Sequence, residues 1–309
     1  DAGEWDTARE ELSRLQEIDP YHEDILNLQK EVPYRSAVAA LHANDYETAV
    51  KELVELYNID PEFKDSPDLR KKIDLIVVGE TKTRLMDNMI MVYVPDGSFT
   101  MGSESGESDE VPVHTVTLDG FWIDQTEVTN AQYAGCVGAG ICESSRNANN
   151  SRFNGENQPV VGVSWHDADA YCRWAGAQLP TEAQWEYAAR GVGRNAYSWG
   201  SAPPECKLTN FGGCLGTTAP VGNYPDDASW IGALDMAGNV QEWVHDWYDD
   251  DYYTVARSKN PSGPTLRYNK VLRGGAWNDY DDHSLRATNR DFSEPVVSHN
   301  NVGLRCAQE

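Results

Sequence analysis

Six cysteines offer the widest chemistry in this chain: Cys136, Cys142, Cys172, Cys206, Cys214 and Cys306. Thiolates hold soft metals and run redox exchange, but none of the six has the CxxC spacing of a zinc or redox site. Their number permits three disulfides, or six thiols in a reducing compartment; Cys136/Cys142 and Cys206/Cys214 each bracket a short glycine-bearing loop, which fits local staples. The histidines, His22, His42, His114, His166, His245, His283 and His299, are scattered without metal-ligand spacing. Ser-His-Asp order, a phosphate loop and a carboxylate pair singled out by spacing are all missing, so residue types alone argue against common hydrolytic or nucleotide chemistry.

The charge balance narrows the partners. Fifty acidic against 25 basic residues give a formal charge of −25, which repels a phosphate backbone and an anionic membrane surface alike. Nucleic acid and membranes are therefore not expected partners, and no apolar run reaches the ~18 residues a spanning helix needs. The 309 residues suit one large domain and a smaller one. The chain opens at Asp1 inside what reads as a repeat, so it is expected to be a fragment, and its compartment stays open between cytoplasm and cell surface.

Positioning elements follow from pattern. Residues 1–85 are expected to form helical repeats: the Trp5, Ala8, Leu12, Leu15, Ile18, Asp19-Pro20 pattern returns as Tyr46, Ala49, Leu53, Leu56, Ile59, Asp60-Pro61. The apolar members share one helical face and the proline ends each helix. This resembles tetratricopeptide repeats, whose faces are buried by stacking, and implies a spacer or a protein-binding arm. A further helix is expected after Lys64–Lys72. From Met89 the pattern alternates: Met91–Gly102 reads as a hairpin about Pro95-Asp96-Gly97, and Val113–Leu118 and Gly120–Asp124 as strands. Thr129, Ser164 and Thr181 cap helices that run toward glycine stops at Gly176 and Gly191 in the last two cases. Trp243 and Trp247 read as buried, and the acidic, Tyr-rich run that follows Asp246-Trp247-Tyr248, Asp249–Tyr253, reads as a solvated loop, with the rim of a binding surface as the alternative.

Several ordered motifs carry a resemblance: Tyr93–Gly102, Glu127-Val-Thr-Asn130, Val163-Ser-Trp165, Leu179-Pro-Thr-Glu182, Trp185–Arg190, Gly238-Asn-Val-Gln-Glu-Trp243, Arg273-Gly-Gly275 and Gly303-Leu-Arg-Cys306. Over residues 86–309 the chain resembles the formylglycine-generating enzyme (sulfatase-modifying factor) family. The resemblance implies an α+β, C-type lectin-like domain, preceded here by the small all-α segment, with Cys172 facing Cys306. Oxidases of that family hold copper(I) through two thiolates after the Gly-Gly, which only soft ligands can do. Those positions fall here at Asp279 and near His283 or Ser284, so no catalytic residue and no catalytic cofactor is expected. Related sulfoxide synthases need iron-binding histidines that this helical segment does not supply. The loop Leu234–Asn239 matches the family's structural calcium loop, implying ligands from Asp235, Ala237, Gly238 and Asn239. A second family site would use Asn210 and Phe211, but Gly213 replaces its acidic partner.

The last segment, 276–301, alternates two kinds of residue. Gly274, Gly275, Trp277, Leu285, Arg286, Asn289, Arg290, Pro295 and Gly303–Cys306 read as framework. Between them stand Asn278, Asp279, Tyr280, Asp281, Asp282, His283 and Ser284; then Asp291, Phe292 and Ser293; then Val296, Val297, Ser298, His299, Asn300 and Asn301. Each of these types is reachable from the asparagine codon AAC by changing adenines alone, whereas Lys, Glu, Gln, Met and Trp are not reachable and do not occur there. The segment thus resembles the diversified region of diversity-generating retroelement variable proteins, which implies a displayed binding face for a protein or other macromolecular ligand. Two other readings remain: a non-catalytic sensor or scaffold module of a signalling protein, and an enzyme of the superfamily with unrecognised activity.

Overall fold

The computed structural model of the chain describes residues 2–18, 22–42, 46–60, 63–64 and 79–309, in two compact units, Asp1–Val78 and Gly79–Glu309. The first unit contains α1 (Ala2–Ile18), α2 (Glu23–His42) and α3 (Tyr46–Ile59). α2 packs on both of its neighbours, and an Arg9–Glu52 ion pair links α1 to α3. Ala49, Leu53 and Leu56 are buried as the helical period requires, whereas Leu15 and Ile59 are exposed. The Asp19-Pro20 stop, Pro61 and the helix expected after Lys64–Lys72 lie outside the described residues, apart from Lys64 itself.

The second unit combines three small sheets with three helices. The first sheet has the order β1 (Thr81–Arg84), β2 (Met89–Val94), β5 (Phe121–Asp124), β10 (Ala307–Gln308), with every neighbouring pair antiparallel. β3 (Gly97–Met101) pairs β4 (His114–Leu118) in a second. The third runs β8 (Asp291–Ser293), β7 (Lys270–Arg273), β6 (Gln241–Trp247), β9 (Val302–Leu304), and only β6 and β9 are parallel.

Two sequence expectations shift. Thr81–Arg84 belongs to the sheet domain rather than to the helical segment, because Arg84 is drawn inward by Asp87 and Asp124, at 2.7 Å each. The hairpin at Met91–Gly102 does not form, since β2 is flanked by β1 and β5 while β3 pairs β4. The Pro95-Asp96 turn hands the chain from one sheet to the next.

Helices α4 (Asn130–Gly138), α5 (Trp165–Trp174) and α6 (Glu182–Arg190) open on capping boxes built by Thr129/Gln132, Ser164/Asp167 and Thr181/Gln184. Two aromatic-rich cores pack against them, one including Trp185, Tyr187 and Phe121, the other Trp243, Tyr171 and Trp165. Cys172–Cys306 is a disulfide tying α5 to the C-terminal strands, and Cys136–Cys142 and Cys206–Cys214 close local loops. Among the described residues no helix is long and apolar enough to cross a membrane.

Candidate functional site

The third sheet is the platform for the last segment. Leaving β7, the chain turns through Gly274 and Gly275 at φ of +100° and +69°. A Cβ on Gly274 would lie 3.0 Å from the Trp185 ring, so the turn requires glycine there. The segment then loops to β8 on one edge of the sheet, and residues 294–301 carry it to β9 on the opposite edge.

Buried arginines fix this path. Arg273 binds Glu186 at 2.6 Å and Glu182 at 3.2 Å, and also donates to the carbonyls of Ala287 and Thr288, so one guanidinium holds α6 and the loop together. Arg290 binds both oxygens of Glu182, at 2.7 and 3.2 Å, and the Asp109 carbonyl. Burial pushes the Glu182 carboxyl upward, but Arg290 and Arg273 outweigh it and hold it below its ordinary value. Arg286 pairs Glu110, and Arg305 makes two 2.7 Å bonds to Glu242.

Burial then separates the two kinds of residue. Gly274, Gly275, Trp277, Leu285, Arg290, Gly303, Leu304, Arg305 and Cys306 are buried, and Arg286, Asn289 and Pro295 half-buried. None of the interleaved residues is buried, and Tyr280 is 80% and Phe292 46% exposed.

Within the first cluster several side chains build turns. Asp279 accepts from the Ala276 amide at 2.7 Å, and Asp281 accepts from the amide and hydroxyl of Ser284. Asp282 and His283 are exposed. Asp279 is raised above the usual carboxyl range by its own burial, with the charges of Asp281 and Asp291 adding, which brings the first and second clusters to one place. Asp291 is tied to Gln241 and Ser293 to His299 at 2.8 Å each, which joins the second cluster to the third. Val296 is exposed, and the backbone carbonyls of Asn300 and Asn301 accept from Trp277 and Gln241. Asn278 Oδ1 and Ser298 Oγ are enclosed without a hydrogen-bond partner.

Fixed parts of the domain border the segment; of these only the Tyr-rich run around Tyr248 is legible in the sequence, as the alternative rim. Phe292 stacks on Tyr248, centroids 4.2 Å apart. Tyr197, stacked on Trp199, donates to the Asp282 carbonyl at 3.4 Å. The Cys206–Cys214 loop donates to the segment through Gly212, 2.7 Å from the Asp279 carbonyl, and places Gly213 beside the Tyr280 ring. The run after Asp246 is solvated in part: Asp250 and Asp251 are exposed, whereas Tyr253 is buried and Tyr248 and Tyr252 half-buried, because the tyrosine rings pack on the core around Trp185. None of the four described cavities, of 220 to 510 Å³, takes a residue from 278–301.

The loop Leu234–Asn239, expected to hold calcium, is a mixed fit to a metal. Asp235 and Asn239 adopt left-handed backbone conformations, as does Gly238 between them. The Asn239 side-chain oxygen is occupied by the Ala219 amide at 2.8 Å and the Ala237 carbonyl by the Thr209 hydroxyl, so these two expected ligands are already engaged. The Gly238 amide donates to the Gly274 carbonyl, joining the loop to the Gly-Gly turn. Asp235 Oδ1 and Glu127 Oε2 are buried with no donor from a third residue, the two carboxyl groups lying within hydrogen-bonding reach of each other; such an oxygen pair holds either a shared proton or a hard cation. Burial and the neighbouring charge of Asp235 drive Glu127 well above its ordinary pKa. Glu127 was read only as part of a motif; nothing in its spacing placed it near Asp235. Among the described residues no three His, Cys, Asp or Glu side chains gather as a metal site. Asn210 is fully buried with its Oδ1 unpartnered.

A family model for the sulfatase-modifying factor enzyme 1-like domain matches residues 78–309. The chain belongs to that family. The formylglycine-generating enzyme of Streptomyces coelicolor is 35% identical over 282 residues, covering 71% of this chain and 88% of that protein. The serine/threonine-protein kinase Pkn1 of Chlamydia trachomatis is 37% identical over 240 residues, and the match spans 71% of this chain but only 38% of the kinase's length. Among solved structures, PvdO from Pseudomonas aeruginosa shares the fold with a TM-score of 0.64 and 29% identity, over 75% of this chain and 98% of that one. Treponema denticola variable protein 1 shares it at 0.62 and 22% identity, over 74% and 98%. This sulfatase-modifying-factor fold therefore serves both enzymes and variable proteins, and in this member no cysteine stands in 276–301 while all six are bound in disulfides.

Proposed function

We propose that this chain is a ligand-recognition protein whose segment 276–301 is a diversified binding face of the retroelement type. The observation that carries the reading is a difference in burial: most framework residues are buried, while none of the residues of the three interleaved clusters is, these being exposed or half-buried; Ala276, Ala287 and Thr288, also reachable from AAC, are buried with the framework. Such an arrangement lets the displayed residues change without disturbing the core. The fold of the Treponema variable protein is compatible with this use. The domain is non-catalytic in this reading, because the positions that need soft thiolates carry Asp279 and either His283 or Ser284.

The ligand is a protein surface with cationic or amide groups. Asp279, Asp281, Asp282 and Asp291 supply acceptors and Tyr280 and Phe292 rigid aromatic area, so binding should weaken with salt. A structural calcium at Asp235, with Glu127 as the second carboxylate, pins the loop joined to the Gly-Gly turn. The helical unit serves as a spacer or protein-binding arm.

The test is the encoding DNA. The reading expects NNC codons at the interleaved positions, together with a near-repeat and a reverse transcriptase gene nearby. Absence of a template repeat would favour a second reading, a sensor or scaffold module of a signalling protein, which the match to a 38% portion of a serine/threonine kinase supports.

A further inference from the structure

Beside the C-terminal end of α6, well separated in sequence from 276–301, lies a cavity of about 430 Å³ walled by Arg190, Arg194, Thr100, Gly102, Ser103 and Ser105. We propose that it binds a phosphate monoester.

The argument begins with unused positive charge. Arg190 is 5% exposed, and its Nε is enclosed with no hydrogen-bond partner. Its Nη1 reaches the Gly102 carbonyl at 3.2 Å and Glu186 at 3.1 Å. Glu186 pairs with it only in part, because that carboxylate also takes Arg273 at 2.6 Å and the Gly102 amide at 2.9 Å. Three buried guanidiniums, Arg190, Arg273 and Arg290, thus share the two carboxylates Glu182 and Glu186, and Arg190 borders the cavity. Arg194 is exposed, and its Nη2 is held by the Thr100 hydroxyl at 3.1 Å. Among the described residues it has no carboxylate partner. On a chain of net charge −25 a cation normally finds a carboxylate, so a partly and a wholly uncompensated arginine beside one cavity is unusual.

The remaining wall decides the ligand. The Ser103 and Ser105 hydroxyls are hydrogen-bonded to each other at 3.2 Å, which leaves one hydroxyl proton of the pair to donate to an oxyanion. Two guanidiniums and a hydroxyl proton from the serine pair match a tetrahedral dianion better than a carboxylate, which one planar fork would satisfy. The cavity is larger than an inorganic phosphate needs, leaving room for an organic group. Glu104, exposed on the same wall, disfavours a second anionic group and suits a hydroxyl that donates to it. The negative end of the α6 dipole opposes an anion, but it amounts to about half a charge against two arginines.

Calorimetric titration of the whole chain with glycerol 3-phosphate, inorganic phosphate and glycerol at matched ionic strength tests the proposal. Saturable binding is expected for glycerol 3-phosphate and, more weakly, for phosphate, with none for glycerol. Arg194→Ala, an exposed change, should weaken both anions about tenfold or more without moving the unfolding midpoint, and Glu104→Gln should narrow the difference between them. Tyr280→Ala should leave phosphate binding unchanged. No saturable heat, or equal binding by Arg194→Ala and the unaltered chain, overturns the proposal. Neither result bears on the face at 276–301, because the two sites share no residue.

Discussion

Phe292 lies stacked on Tyr248, the ring centroids 4.2 Å apart and the planes inclined at 28°. A residue of the displayed segment therefore rests on one outside it. The Tyr248 hydroxyl is itself anchored on Asp109 at 2.8 Å, so the pair offers a rigid aromatic step on the face. Phe292→Ala and Tyr280→Ala are each expected to weaken ligand binding about tenfold or more. Their unfolding midpoints should stay close to that of the unaltered chain, because Tyr280 is 80% and Phe292 46% exposed. Binding titration beside thermal unfolding checks this, and a large loss of stability in either variant would place these residues in the framework instead.

Arg290→Ala should behave in the opposite way. Removing it leaves Glu182 buried with half of its counter-charge gone, and breaking such a pair costs about 3–5 kcal/mol. Urea unfolding should show that loss, and binding should fall only through reduced folding. A midpoint unchanged within error would show that the segment does not hang on this arginine.

The pH dependence of stability has a definite sign. Burial, followed by the charge of Glu182, pushes Asp246 up to about 8. A carboxyl raised in the folded state stabilises fully below its unfolded pKa, and that contribution is lost as pH rises through the folded value. Stability contributed by Asp246 should therefore decline between pH 3.8 and about 8. Asp246→Asn, which keeps an oxygen for the Glu182 amide, should flatten the decline measured by thermal unfolding between pH 6 and 8. A slope equal to that of the unaltered chain would mean Asp246 is already ionised in the native protein.

Calcium should raise the unfolding midpoint and a chelator lower it. Asp235→Asn and Glu127→Gln should each remove the response, since they alter the two buried carboxylates whose oxygens meet no donor from a third residue. If calcium binding survives both changes, measured by titration with the metal alone, the cation sits elsewhere.

Much of this protein is legible in one dimension. Capping boxes at Thr129, Ser164 and Thr181 are local, so their spacing sufficed to place three helix starts. The alternation of framework and adenine-reachable residues in 276–301 is likewise a linear pattern. What required the folded chain was every relationship that depends on distant partners. Residues 91–102 alternate like a hairpin, yet β2 and β3 belong to different sheets, because strand pairing is settled by the strands that arrive later, β4 and β5. Glu127 and Asp235 are far apart in sequence but neighbours in the core, so the meeting of their carboxyl groups could not be read from either motif. Tyr197, Trp199, Tyr248 and the Cys206–Cys214 loop reach the segment 276–301, the proposed binding face, only through tertiary packing. Sequence determined which residues of the last segment vary in character; only the burial of Arg273, Arg290 and Arg305 against carboxylates on α6 and β6 decided which of them face solvent.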